Sequence, residues 1–139
     1  MIPKFRAWDK ESKIIRNVVS VNFATKAVAC EWKRNESERH SEMYDKYLFD
    51  EEYELLQSTG LKDKNGKEIY DGDILKVFVL RDMGAIAKVI FKNGMFGIED
   101  DMHGYGYDKG LYSLDQILSL RDAEIIGNKF QNKDLLEEE

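Results

Sequence analysis

The stretch from Tyr53 to Val79 constrains the fold most, because it sets glycine-centred turns at Gly60, Gly66 and Gly72 between two apolar runs. Leu55, Gln57 and Thr59 alternate with Leu56 and Ser58 until Gly60, the pattern of a short strand ended by a glycine, although Tyr53–Leu56 equally closes a helix. Asp63-Lys64-Asn65-Gly66 follows, and Asn65-Gly66 suits the tight hairpin turn in which both central residues take φ > 0. Ile69-Tyr70 reads as a short return strand, and Asp71-Gly72-Asp73 turns the chain again. Ile74 to Leu80 is apolar except for Lys76, which predicts a central strand covered on both sides.

Apolar run, turn, Gly-Asp and strand in that order recur where small SH3-like barrels begin. Asp71 and Asp73 around Gly72 admit a functional reading as an anion or metal corner. The favoured reading is turn chemistry, with short acidic side chains accepting from backbone N–H groups. The segment LLQSTGLKDKNGKEIYDGDIL resembles the signature of the YopX family, small proteins of phages and prophages of Gram-positive bacteria. Ile2 to Asp9 and Glu124 to Asn128 match as well, so three blocks in one order bracket nearly the whole chain, while Thr25–Glu52 and Asp82–Tyr112 match loosely. The resemblance implies a phage or prophage origin and a mixed α/β, β-rich fold; it brings no biochemical activity and no catalytic residues to carry over.

A chain of 139 residues with 42% hydrophobic content is long enough for a core without cross-links. The balance of 27 acidic against 21 basic residues, net −6, disfavours binding to duplex nucleic acid, which needs lysines and arginines on phosphates. The single Cys30 cannot form an internal disulfide, and in its strand-like run it reads as a packed thiol. With no apolar leader and no run of about 20 apolar residues, the expected location is the cytoplasm, host cytoplasm for a phage protein, with no membrane contact.

Strands are predicted over residues 2–8, with Pro3 near an edge, over 14–23 and over 27–32, separated from each other by polar turns. Trp8 reads as a cross-strand packing residue. Residues 33–41 carry no apolar side chain and form a polar loop holding the lone His40. Residues 43–56 fit either a helix, through Tyr44, Tyr47, Leu48 and Leu55, or an extended segment at 47–49. Ile74–Leu80, Ala85–Phe91 and Met95–Glu99 predict a meander whose second turn is Asn93-Gly94. Ser113-Leu114-Asp115-Gln116 is a capping box that opens a short amphipathic helix over 114–120, and Ala123–Ile126 forms a last strand.

The expected fold is therefore α+β and β-rich: an N-terminal hairpin and strand extension, then a small SH3-like barrel or meander with one short helix near the C-terminus. Its segments are 1–52, a barrel-like core at 53–128 and a polar tail at 129–139, in one compact unit. No cofactor or metal is expected, and catalysis is not, because His40 and His103 both fall in loops without a partner nucleophile. The expected role is a binding module for a host or phage protein. Its candidate contact surface is the Gly-Tyr stretch at 100–110 with His103, Tyr105 and Tyr107, whose flat rings suit stacking. Asp63, Asn65, Gly66, Asp71, Gly72 and Asp73 are assigned to turns. Lys62, Lys64 and Lys67 in one turn suggest a nucleic-acid-associated barrel as the alternative, an acidic DNA mimic is another, and self-association through the N-terminal hairpin or residues 43–49 stays open.

Overall fold

The computed structural model describes residues 4–32, 44–80, 83–100 and 110–136. The chain forms two compact units, Met1–Gln57 and Ser58–Glu139. The described residues are mostly strand, arranged in antiparallel ladders with one short helix among them.

In the first unit, β1 (Phe5–Asp9) and β2 (Ile14–Asn22) form the expected hairpin, and β3 (Ala27–Trp32) pairs with β2. Residues 44–48 are extended as β4 (Tyr44–Leu48), an edge strand on β3. Helical spacing in this stretch loses to pairing, because Leu48 sits opposite Val28 and both are buried. Glu51 then takes φ 74, a left-handed turn, and Glu52 Oε1 accepts the Phe49 N–H at 2.9 Å. β5 (Tyr53–Lys62) pairs with β1 from Tyr53 to Gln57. Ala7, Val28, Cys30 and Leu48 make a small core, with Val18, Val21, Tyr53 and Leu55 against it. Trp8 is half-buried opposite Ile15 and Glu54.

Gly60 does not end β5. It adopts φ 77 inside a bulge, where five residues of β5 from Ser58 to Lys62 face three of β6 (Glu68–Tyr70). Side chains replace the missing ladder bonds: Ser58 Oγ accepts Gly60 N–H at 3.1 Å, and Thr59 Oγ1 accepts Leu61 N–H at 3.1 Å while donating to the Ile69 carbonyl at 2.7 Å.

In the second unit, β7 (Asp73–Leu80), β8 (Met83–Lys92), β9 (Met95–Asp100) and β10 (Gly110–Ser113) meander, and β11 (Ala123–Asn128) pairs with the free side of β7. The order is β10-β9-β8-β7-β11. The meander is present as expected; the pairing of the described residues leaves the sheet open, so closure into an SH3-like barrel is not part of it. Asn93 and Gly94 take φ 54 and 78, the doubly left-handed turn expected there. α1 (Leu114–Leu120) buries Leu114 and Ile117 against Leu75, Val77, Val89 and Ile98. It begins after Ser113 as the capping box predicts, yet the Ser113 side chain makes no cap hydrogen bond; packing of Leu114 and Ile117 holds the helix instead. A 3-10 turn spans Lys133–Leu136.

β7 matches a covered central strand at its start and departs from it at its end. Ile74, Leu75 and Val77 are buried, whereas Phe78 and Val79 are only half-buried. Opposite Phe78 stands Gly84, where a Cβ would lie 2.2 Å from the Val77 carbonyl oxygen. Gly84→Ala is therefore expected to cost about 1–3 kcal/mol by forcing β7 and β8 apart, read as a lowered melting temperature.

Candidate contact site

The acids flagged in the sequence serve the backbone. Asp63 is 6% exposed; its Oδ1 accepts the N–H groups of Asn65 and Lys67 at 2.9 Å each, and its Oδ2 accepts from Ile125 at 3.1 Å. Burial alone would raise this carboxyl, but the three N–H bonds outweigh burial and hold it below the usual carboxylate range. Lys64 N–H also donates to the Ala123 carbonyl, so the Asp63 turn occupies hydrogen-bonding groups along the outer edge of β11. The turn differs from the expected one. Only Gly66 has φ > 0 (81), Gly66 N–H donates to the Asp63 carbonyl, and Asp63 N–H donates to Lys67: a type I turn followed by a glycine bulge. At the next corner Gly72 has φ 90, Asp73 Oδ2 accepts the Tyr70 N–H at 2.8 Å, and the Gly72 backbone bonds Val89 and Lys129. Among the described residues no group of three His, Cys, Asp or Glu side chains has metal-holding geometry.

A buried charge cluster in the first unit escaped the sequence reading. Asp9 is fully buried; its Oδ2 accepts Arg16 Nε at 2.9 Å and lies 3.1 Å from Lys46 Nζ, while its Oδ1 accepts Glu11 and Ser12 N–H at 3.2 Å. Burial raises this carboxyl, and the Arg16, Ser12 and Lys46 bonds together drive it far below the usual range. Cys30, fully buried, is pushed up chiefly by burial, with Arg16 and Lys46 opposing and Asp9 adding to the rise. A raised thiol stays protonated and inert near neutral pH, the packed role expected of it. The available signal was Asp9-x-x-Ser12 at a hairpin turn, an Asx arrangement whose acid must face inward if β1 alternates from Ala7.

The feature suited to contact lies at the end of β7. Phe78, Val79, Leu118, Ser119, Leu120, Arg121 and Asp122 line an open cleft of about 400 Å³. Leu120 is 70% exposed, and Arg121 Nη1 donates to the Val79 carbonyl at 3.3 Å. Lys64 Nζ lies 4.3 Å and Lys76 Nζ 5.1 Å from the Phe78 ring centroid. Lys76 and Phe78 share a face because they are two apart on β7, and Lys64 is delivered by the Asp63 turn on β11. Neither ammonium enters an ion pair among the described residues; Glu124, opposite Lys76 in register, accepts instead from Asn65 Nδ2 at 3.4 Å. Sequence reading placed Lys64 in a turn and Lys76 in a strand but had no means to join them.

The Gly-Tyr stretch with His103, Tyr105 and Tyr107 lies outside the described residues, as does His40. Its flanks are described: Gly110 of β10 pairs directly with Asp100 of β9. No helix among the described residues is long and apolar enough to cross a membrane.

The YopX protein family model matches residues 4–137. Among solved structures, the chain is similar to a crystal structure of a protein from Enterococcus faecalis, with 32% identity, 99% of each chain covered and a TM-score of 0.67. It is also similar in fold to YopX from Bacillus subtilis, at 17% identity with 96% of this chain and 98% of that one covered and a TM-score of 0.62. No curated protein matches the chain.

Proposed function

The chain belongs to the YopX family, and we propose that it is a non-enzymatic binding module which holds a host or phage protein against the Phe78–Leu120 cleft in the host cytoplasm. One observation carries this reading: a large apolar side chain, Leu120, stands 70% exposed at a cleft also lined by Phe78, whose half-buried ring has two lysine ammonium groups near it. Exposed apolar anchors ringed by polar groups are what partner surfaces use. By contrast, Asp9, Asp63 and Asp73 are already engaged in hydrogen bonds, which suits holding the fold rather than passing protons. Tyr105 and Tyr107, in the connection between β9 and β10, are proposed as a second contact element of the same module.

Affinity capture from a Gram-positive host tests the reading. Leu120→Asp is expected to lower the yield of the captured partner by about tenfold or more, the size of one interface hot spot. Phe91→Asp, at another exposed apolar side chain, on β8, is expected to leave capture intact. Equal loss from both, or from neither, contradicts this placement.

A further inference from the structure

We infer that the occupant of the Phe78–Leu120 cleft is an acidic protein segment, one that places a large apolar side chain in the cleft and carboxylates on Lys64 and Lys76. The inference rests on the contact reading above and adds the chemistry of the partner. Lys64 and Lys76 hold their charges over a single ring, 4.3 Å and 5.1 Å from its centroid, with no carboxylate paired to either among the described residues. An exposed cation–π contact is weak, so an arriving carboxylate recruits an ammonium at little cost and in a place already fixed by the ring. The charges nearby are mixed: Arg121 lines the cleft and is engaged with Val79, Asp122 lines it as an acid, and Glu124 faces Asn65.

That mixture favours a peptide over nucleic acid. A phosphate chain crossing the site meets Asp122 and Glu124 as well as the lysines, on a protein of net charge −6. A protein segment can set one or two carboxylates on Lys64 and Lys76 and present neutral apolar side chains elsewhere, which a chain charged at every nucleotide does not allow, and the half-buried Val79 and Leu118 complete an apolar floor of side-chain size.

The test uses the full chain and three labelled probes followed by fluorescence anisotropy: a short peptide of alternating Glu and Leu, its Gln-Leu counterpart, and a single-stranded oligothymidylate. Saturable binding of the Glu-Leu peptide is expected at low salt, weakened by added salt and by about tenfold in the Lys64→Gln/Lys76→Gln variant, with the Gln-Leu peptide binding about tenfold less well. The inference is overturned if the Glu-Leu peptide fails to bind, if it binds no better than Gln-Leu, if the double variant binds it equally, or if the oligonucleotide binds more tightly. Loss of partner capture in Leu120→Asp alongside any of those results leaves the contact reading standing and removes only its acidic partner.

Discussion

Asp9→Ala is expected to lower the unfolding free energy by about 3–5 kcal/mol, because it strands the Arg16 guanidinium, 7% exposed, and the partly exposed Lys46 ammonium without their shared carboxylate. The pair Asp9→Leu/Arg16→Met removes the uncompensated charge along with the carboxylate and is expected to recover most of that loss. The pH dependence follows from the direction of the Asp9 shift. Its carboxyl is held far below the ordinary value, so the stabilisation is complete above the unfolded-state value of about 4 and drains away as the pH falls toward the folded-state value. Urea midpoints are expected to be flat between about pH 7 and 5 and to drop below about pH 4, less steeply in the double variant than in the parent. A cluster contributing nothing would leave Asp9→Ala within about 0.5 kcal/mol of the parent.

Asp63→Asn is the second large effect. One amide oxygen can still accept from Asn65 and Lys67, but the Nδ2 group then faces the Ile125 N–H, donor against donor. The expected cost is about 2–3 kcal/mol, the penalty for stranding a buried donor plus the lost charge-assisted bonds. Amide exchange at Ile125 is expected to quicken more than at Val77, which pairs with Ala123 farther along the same ladder. Asp63→Ala, losing all three acceptor bonds, is expected to exceed it. Equal stability of Asp63→Asn and the parent would mean that water or another group already serves Ile125.

These two residues also mark how far the sequence could be read. The β-rich meander, the helix at 114–120 and the N-terminal hairpin follow from alternation and spacing, which are local properties that packing did not overrule. Turn identity was legible at Asn93-Gly94 and misread at Asn65-Gly66. The same dipeptide forms two different turns because Asp63, three residues before Gly66, stabilises a type I turn with its own carboxylate. Asp at the first position and Gly at the fourth was the sign of that turn. Gly60 reads as a strand end in the sequence because a bulge needs its partner strand, which alternation does not reveal. Residues 44–48 became a strand through pairing with β3, a tertiary gain outweighing helical spacing. The cleft was illegible for a plainer reason: Lys64, Phe78 and Leu120 are far apart in sequence, and the ladder between β7 and β11 joins them.

Amide hydrogen exchange with and without the captured partner tests the contact account most directly. The expected result is slowed exchange at Leu118–Asp122 and at the Phe78 end of β7, with Phe5–Trp32 unchanged. Slowing confined to Phe5–Trp32, with Leu118–Asp122 exchanging at its free rate, would contradict it.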